Sequence, residues 1–296
     1  MPRILSLQIK AAWNGSKIKD VLSKRLFVSD TLCSKLKQKT GSILLNGEPV
    51  YVTRSVHTGD VLTVAVHDFQ KDSKILPMPY PLPILYEDAD LIVLDKPSGI
   101  SIHPARDPNE VTVENALAAY LGPDENPHPV NRLDKGTSGV MCVAKSGWAH
   151  SWMKTVQHTG QMEKTYLAIC EGHPSPPTGC ITSPIGFMEG SGYFREIRQD
   201  GAACCSTYQV LESLEDRSLV QLSPKTGRMH QLRVHMASIG HPLLGDWLYG
   251  KNDDRILRVA LHSYQLTFVH PLLQKELSFT APLPLDMQRL LPPKMN

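Results

Sequence analysis

N-R-L-D-K-G-T-S-G, residues Asn131–Gly139, leads directly into the apolar segment Val140–Ala144. Two glycines flank the Thr–Ser pair, so the backbone can turn sharply and carry Asp134 out of regular structure. The apolar segment is typical of a buried strand, which would give the turn a rigid base. Two interpretations of Asp134 follow: a reactive carboxylate on a rigid turn, or one half of a surface ion pair with Arg132 that stabilises the turn.

Length and composition indicate a globular protein with one sizeable core and a smaller module. The chain has 296 residues, of which 41% are apolar and 20% charged. It holds no apolar run of about 18 to 20 residues, the length that a membrane-spanning helix needs, and its first residues lead into no secretory pattern. We therefore expect a cytoplasmic protein that does not enter membranes.

Cysteine and histidine spacings give no metal or disulfide signature. The six cysteines lie scattered without a C-x-x-C pair, so we expect them to be reduced and mostly structural. His230, His235 and His241 do not follow an H-E-x-x-H spacing, and we expect no metal site. The chain also lacks the G-x-G-x-x-G and G-x-x-x-x-G-K-[ST] motifs, which argues against a nucleotide cofactor.

Charge is distributed unevenly along the chain. Residues 1–67 carry ten Lys or Arg residues and four Asp or Glu residues, a net charge of +6. Because the whole chain is +2, residues 68–296 carry −4. A basic N-terminal segment is typical of a protein that binds a polyanion, although a solvated lysine-rich helix face gives the same pattern.

The segment Ile18–Val66 predicts a helix, a second helix and then a small sheet. Asp30 is the candidate N-cap of a helix that runs to Lys39. Asn46-Gly47 is a strong hairpin signal, and Gly59-Asp60 predicts a turn ahead of a further strand. This order resembles the small RNA-binding module named after ribosomal protein S-four, which implies RNA as the ligand of the basic helical face. The residues expected to bind RNA there are Lys24, Arg25, Lys35, Lys37 and Lys39.

Residues 68–83 are predicted to be an extended linker between domain 1–67 and domain 84–296. Four prolines alternate with other residues in its second half, which disfavours helix. The second domain has many β signals with few helices between them, which predicts an α+β protein with a mixed, largely antiparallel sheet. The predicted strands are Leu91–Leu94, Gly139–Ala144, Thr165–Cys170, Thr207–Leu211, Leu219–Leu222 and Tyr264–Val269.

Two helices are predicted in the second domain. Ser146 can cap a helix whose apolar stripe is formed by Trp148, Trp152 and Val156. A second helix is predicted over 227–239, with Arg228 and Gln231 in its first turn and with His230 and Arg233 facing the same way. The residues expected to pack inward from this helix are Met229, Leu232, Met236 and Ile239.

Four motifs together are similar to the RluA family of pseudouridine synthases. They are Asp95–Pro104, Asn131–Lys145, Lys164–Tyr166 and Thr226–Gly250, in the family's order and across almost the whole chain. Two positions depart from the family pattern: Asn131 replaces a His before R-L-D, and Met229 replaces a Thr or Ser after T-G-R.

The resemblance implies that selected uridines in RNA are isomerised to pseudouridine without a cofactor, since the reaction has no net redox change. Asp134 matches the catalytic aspartate, which either attacks C1′ or removes a C2′ proton; a carboxylate suits both roles. Arg233 matches the arginine that pairs with it and favours its charged form. Tyr166 matches the aromatic residue that stacks on uracil and could assist removal of the C5 proton.

The resemblance also implies a set of substrate contacts. Arg132 would brace the site of the flipped base. Polar contacts to phosphate, or the ordering of a loop, are implied for Lys164, Arg228, His230 and Gln231, and pocket contacts for Leu261 and His262.

The implied partner is ribosomal or transfer RNA, and we expect the protein to be a monomer. Two alternatives remain open: a catalytically silent RNA-binding or RNA-chaperone protein on the same scaffold, and a hydrolase that uses Ser138 with His230, for which no G-x-S-x-G motif exists.

Overall fold

Two helices packed on a four-stranded antiparallel sheet form the N-terminal part of the protein. The computed structural model describes residues 3–66, 75–104, 107, 109–122, 126–192 and 194–292. The strands of the first sheet lie in the order β1-β4-β2-β3. Its elements are β1 (Arg3–Gln8), α1 (Ile18–Leu26), α2 (Asp30–Lys37), β2 (Ile43–Leu45), β3 (Glu48–Pro49) and β4 (Val61–Val66).

The predicted order of helix, helix and sheet is confirmed, with two corrections. Helix α2 is capped by Ser29, whose hydroxyl accepts the N–H of Leu32 at 3.3 Å, so Asp30 is the first helical residue and not the N-cap. The helix ends at Lys37, two residues before the predicted end. The Asn46-Gly47 hairpin joins β2 to β3 with both residues at positive φ, as predicted.

A ten-stranded mixed sheet dominates the rest of the chain. Eight strands run in the order β10-β13-β14-β9-β15-β8-β6-β5, with β16 on β15 and β7 on β8. The pair β8 and β15 is parallel, and the other described pairs are antiparallel. The strands are β5 (Ile84–Glu87), β6 (Leu91–Lys96), β7 (His128–Pro129), β8 (Ser138–Ala144), β9 (Met162–Glu171), β10 (Thr178–Ile181), β13 (Ser206–Ser213), β14 (Arg217–Pro224), β15 (Leu261–His270) and β16 (Lys275–Thr280).

A separate hairpin and four helices complete the description. The hairpin consists of β11 (Ile185–Phe187) and β12 (Arg195–Ile197). None of the described helices has the length and apolar character required to cross a membrane. The helices are α3 (Val113–Leu121), α4 (Gly147–His158), α5 (Gln231–Ser238) and α6 (Leu285–Gln288).

The predicted α+β class with a largely antiparallel sheet is confirmed, and the predicted linker is described only in part. Each of the six predicted strands in this sheet is present, extended by one to four residues at its ends. Residues 68–74 of the predicted linker, together with residue 67 before it, lie outside the described residues. Residues 75–83 have no regular structure but are pinned to α3, because Asn115 Nδ2 donates to Leu76 O at 2.7 Å.

The sequence predicted the start of helix α4 correctly and placed the start of helix α5 too early. Helix α4 has Ser146 as its N-cap, and its tryptophan stripe is buried as predicted. Helix α5 begins at Gln231 instead of 227, because His230 has a left-handed backbone (φ 56) that a helix cannot continue through. Met229 therefore lies outside the helix and is 37% exposed, so its predicted inward packing is wrong.

The N-terminal part and the large sheet share one hydrophobic core. Trp148 on α4 packs in the same apolar cluster as Leu22 of α1 and Phe268 of β15. Its indole Nε1 donates to Leu26 O at 2.6 Å. Arg3 stacks over the same indole and pairs with Asp90 at 2.5 Å. The two predicted domains are thus joined by a packed interface.

At Gly139 the backbone of β8 lies directly against the backbone of β15. It has a φ of +110, and a Cβ placed there would lie 2.2 Å from the carbonyl oxygen of Ser263 on the parallel strand β15. The main chain of Ser263 could move away from such a Cβ only if the two strands separated. Because Gly139 lies five residues after Asp134, this approach anchors the turn that carries the acid.

We predict that Gly139→Ala lowers the free energy of unfolding by more than about 3 kcal/mol, because the clash adds to the cost of positive φ. Gly59→Ala is the matched control: Gly59 has a φ of +94 but nothing within 4 Å of a built Cβ, so only about 1–2 kcal/mol should be lost. Denaturant unfolding measures both values. Equal losses in the two variants would contradict the role assigned to the strand approach.

Candidate active site

Asp134 lies on a turn between β7 and β8 whose carbonyl groups are held from several sides. The N–H of Thr137 donates to the carbonyl of Asp134 itself at 3.0 Å. The Lys135 carbonyl accepts the N–H of Gly99 at 2.8 Å, and the Gly136 carbonyl accepts from the Arg258 guanidinium at 3.2 Å. These bonds fix the backbone and leave the Asp134 side chain free to face the cavity described below.

Lys96, at the end of β6, joins the 97–101 turn to the Asp134 turn. Its side chain is fully buried, and Nζ donates to the carbonyls of Pro97 and Ile100, both at 2.8 Å, and to that of Lys135 at 3.4 Å. Burial lowers the pKa of Lys96 to about 7, whereas the nearby Asp134 charge opposes that shift. The buried amine therefore acts as an anchor for two loops rather than as a surface charge.

Arg233 on α5 presents its guanidinium to the acid. Nη1 lies 3.3 Å from Oδ2 of Asp134, while Nε and Nη2 donate to both oxygens of Asp246 at 2.7 and 2.6 Å. Asp246 is fully buried, and the guanidinium also stacks on the Tyr249 ring at 5.1 Å from its centroid. The bidentate pair with Asp246 leaves one nitrogen of Arg233 directed at Asp134.

His230 supplies a second polar contact to the same carboxylate. Its left-handed backbone turns the ring toward the cavity, with Nε2 3.8 Å from Oδ2 of Asp134. The Tyr249 hydroxyl accepts the N–H of Arg195 at 3.1 Å and lies 2.7 Å from Nδ1 of His230. Burial lowers the pKa of His230, whereas the nearby Asp134 charge opposes that shift.

One cavity of about 910 Å³ collects nine of the ten residues predicted for catalysis and substrate contact. The Asp134 side chain is 28% exposed in this cavity, so its carboxylate is accessible to a ligand. Residues of α4 line the opposite wall with polar side chains. The nine predicted residues are Arg132, Asp134, Lys164, Tyr166, Arg228, His230, Gln231, Arg233 and Leu261.

Strand β9 supplies Tyr166 and Lys164, two residues apart and therefore on one face. The Tyr166 ring is buried in the cavity wall, and burial raises the pKa of its hydroxyl to about 12. Burial also lowers the pKa of Lys164. An aromatic ring and an amine thus lie on the same side of the acid.

Gln231 orders the loop before α5. Its Oε1 accepts from the Thr226 hydroxyl and from the N–H of Arg228, at 2.8 and 3.0 Å, and its Nε2 donates to Cys205 O and Ser206 Oγ, both at 2.9 Å. Of the two roles predicted for Gln231, phosphate contact and loop ordering, the geometry supports the second. The Arg228 side chain, by contrast, is exposed at the cavity mouth.

His262 is the predicted contact residue that does not reach the cavity. It follows Leu261 on β15 and points to the other face of the sheet, because successive strand residues alternate. Both ring nitrogens are bonded, Nδ1 to the Ser138 hydroxyl at 2.9 Å and Nε2 to Ala281 O at 3.1 Å. The geometry therefore does not support the expected pocket contact of His262. The same buried pairing takes Ser138 away from His230, the partner that the hydrolase alternative requires.

A second cavity of about 650 Å³ adjoins the first, and Arg132, Arg228 and Met229 line both. Hairpin β11–β12 forms its other side, where the Arg195 guanidinium stacks on the exposed Phe187 ring, 3.3 Å from the ring centroid.

Among the described residues, no three His, Cys, Asp or Glu side chains are grouped so that they could hold a metal ion.

Residues 90–238 match the family model described as RNA pseudouridylate synthase, and this span covers half of the chain. The chain belongs to the RNA pseudouridylate synthase family. It is therefore an isomerase that forms pseudouridine in RNA, and the matched span contains Asp134, Tyr166 and Arg233.

Full-length relatives agree with this family assignment. The "Uncharacterized RNA pseudouridine synthase YjbO" of Bacillus subtilis (strain 168) is 38% identical over 269 residues, which cover 90% of this chain and 95% of the relative. Ribosomal large subunit pseudouridine synthase D of Escherichia coli O157:H7 is 31% identical over 297 residues, which cover 94% of this chain and 86% of the relative.

A solved pseudouridylate synthase has the same fold. Human RNA Pseudouridylate Synthase Domain Containing 1 superposes with a TM-score of 0.58 at 27% identity, over 72% of this chain and 86% of its own. This likeness confirms the predicted pseudouridine synthase fold.

Three residues that hold this candidate site in place were missed by sequence reasoning. Asp246 and Tyr249 lie in the G-D-W-L-Y-G end of the last of the four motifs, and Lys96 lies in the first. An acid in the same motif as Arg233 is the signal that could have identified Asp246.

We predict that Asp246→Asn lowers kcat about ten-fold or more and leaves RNA affinity within about two-fold, because the Arg233 guanidinium loses its charged partner and shifts relative to Asp134. Single-turnover kinetics and RNA titration measure the two quantities. Asp216→Asn is the control, since Asp216 pairs with Arg255 on the surface and its loss should leave kcat unchanged. A normal kcat in Asp246→Asn would contradict the positioning role.

Proposed function

We propose that the protein isomerises specific uridines in structured RNA, most of all ribosomal RNA, with Asp134 as the catalytic carboxylate. The observation that supports this proposal is the convergence of Asp134, Arg233 and Tyr166 on one cavity. An acid, a fixed positive charge and an aromatic face are what a base-rotating reaction on a nucleoside requires. The proposal also places the protein in the cytoplasm and takes it to be a monomer.

The reaction breaks the N1–C1′ bond, rotates the uracil in place and forms a C5–C1′ bond. Asp134 either attacks C1′ as a nucleophile or removes the C2′ proton as a base, and both roles need an accessible, charged carboxylate. The Arg233 nitrogen lies 3.3 Å from Oδ2 of Asp134 and places a positive charge beside the carboxylate. Nε2 of His230 lies 3.8 Å from the same carboxylate oxygen and adds a polar group beside it.

Tyr166 and Arg132 have complementary roles in this proposal. The pKa of about 12 keeps the Tyr166 hydroxyl protonated at neutral pH, which favours stacking of its ring on uracil over proton removal. Arg132 is exposed between the two cavities, where it can occupy the space left by a flipped base. Lys164 and Arg228 lie at suitable sites for phosphate contact.

The N-terminal residues 1–67 are proposed to be a ribosomal-protein-S-four-like RNA-binding domain, followed by linker 68–83 and catalytic domain 84–296. The proposed RNA-binding side chains are all exposed on or next to α1 and α2. Ribosomal RNA is favoured as the target because relatives that match 72% and 94% of this chain are named ribosomal large subunit pseudouridine synthase D.

We predict that Asp134→Asn abolishes tritium release from RNA labelled at uridine C5, at least 10³-fold below the unchanged protein, and leaves RNA binding intact. The amide keeps the shape of the side chain but can neither attack nor accept a proton. Asp254→Asn, which changes an exposed acid elsewhere on the surface, is the matched control and should be fully active.

Three results would separate the proposal from its alternatives. Equal background release by the unchanged protein and by Asp134→Asn would favour a silent RNA-binding or chaperone protein. Ester hydrolysis that is lost in Ser138→Ala would favour the hydrolase. Release that persists in Asp134→Asn would show that another residue carries the chemistry.

We predict that Lys24→Gln/Lys37→Gln reduces the salt dependence of RNA binding, by about 0.7 in log–log slope for each lysine–phosphate pair that is removed. Both lysines are exposed on the proposed RNA-binding helices. Charge variants test the role better than deletion of residues 1–67, because deletion would uncover Trp148 and the shared core. The control is Lys251→Gln/Arg289→Gln, two exposed basic residues outside the module, and equal slope changes in both pairs would contradict the assignment.

A further inference from the structure

Two cysteine thiols meet at the edge of the large sheet, outside the catalytic machinery. The Sγ atoms of Cys180 and Cys205 are 3.2 Å apart. Cys180 is exposed on the edge strand β10, and Cys205 is half-buried immediately before β13. Cys180 lies opposite Thr207, and Cys205 precedes Thr207 by two residues, so strand alternation places both thiols on one face. Neither thiol has a role in the isomerisation described above.

We propose that Cys180 and Cys205 form a reversible intrachain disulfide in the presence of a small oxidised disulfide such as oxidised glutathione. The Cys180 thiolate attacks one sulfur of the small disulfide and expels a thiolate, which leaves a mixed disulfide on Cys180. The Cys205 thiolate then attacks the Cys180 sulfur and expels the second thiolate. Two protein thiols lose two electrons and two protons, and one small disulfide is reduced to two thiols.

Accessibility favours Cys180 as the first nucleophile. The hydrogen bond with Cys180 raises the pKa of Cys205, which is also less exposed. The remaining four cysteines are buried, and burial raises the pKa of each of their thiols: Cys33, Cys142, Cys170 and Cys204. Oxidation is thereby directed to the edge pair.

Bond formation requires the two sulfurs to approach by about 1.2 Å, since a disulfide bond is about 2.0 Å long. Cys205 is held in place because its N–H donates to the Thr226 hydroxyl at 3.1 Å and its carbonyl accepts from Gln231 and Lys225, both at 2.9 Å. Cys180 lies on a four-residue strand that is paired on one side. The movement therefore falls on Cys180, and the loop that positions His230 stays where it is.

The disulfide would close the base of hairpin β11–β12, which lies within the loop between the two cysteines. This hairpin lines the second cavity beside Arg132 and Arg228. A cross-link restricts the unfolded chain over this loop and so stabilises the folded protein, while the cavity around Asp134 is unchanged. The pair is thus an oxidation site whose disulfide stabilises the hairpin beside the second cavity and leaves the enzyme active.

The test compares the reduced full-length protein with the protein equilibrated with oxidised glutathione. We expect a loss of two titratable thiols, a mass lower by two hydrogens and a linked peptide pair that contains residues 180 and 205. The unfolding temperature should rise by about 5 °C or more and return on reduction. Tritium release at 25 °C should stay within about two-fold of the reduced protein.

Cys180→Ser and Cys205→Ser are the matched controls, and neither should gain thermal stability from the oxidant. A persistent glutathione adduct, a dimer linked through Cys180 or a cross-link to another cysteine would overturn the proposal. A rise in unfolding temperature that survives in Cys180→Ser would do the same. Loss of tritium release in the oxidised protein would refute the inference that only Cys180 moves. The thiol count and the peptide map do not depend on RNA, so this test can fail or succeed independently of the proposed isomerisation.

Discussion

The ion pair between Arg233 and Asp246 is the interaction on which the active site depends. A guanidinium withdrawn from water needs a charged partner, and Asp246 supplies one with both oxygens engaged. If Asp134 had to serve alone as that partner, its two oxygens would be taken up by the guanidinium. Because Asp246 takes two of the three available nitrogens, Asp134 receives a single contact at 3.3 Å and remains open to the cavity.

Much of this arrangement could be predicted where a local pattern coincides with the tertiary requirement. The apolar run of β8 and the tryptophan stripe of α4 each predict which side chains are buried, and those side chains are buried in the structure. The meeting of Asp134, Arg233 and Tyr166 came instead from family motifs, since these residues lie 32 to 99 positions apart in sequence. Periodicity alone gives no information about such distances.

The errors have physical causes that a single sequence does not display. The helical pattern extends back through T-G-R-M-H, yet His230 takes a left-handed backbone that turns its ring toward Asp134, which ends the helix early. His262 follows Leu261 on strand β15, and successive residues of a strand point to opposite faces of the sheet. Leu261 therefore lines the cavity, whereas His262 is buried on the other side. Asp246 accepts the N–H groups of Leu248 and Tyr249 at 3.1 and 3.3 Å, a local pattern that any turn acid can show. Its pairing with Arg233 forms only when the chain has folded back on α5.

Helix α4 contributes one face to the hydrophobic core and the other face to the cavity. One face packs Trp148 and Trp152 into the core shared with the N-terminal part, while the other presents His150, Lys154 and Gln157 to the cavity. A single helix thus connects the shared core to the wall of the cavity. If the proposed RNA-binding helices and the cavity hold one RNA at the same time, that RNA must match the spacing between them or deform to fit it.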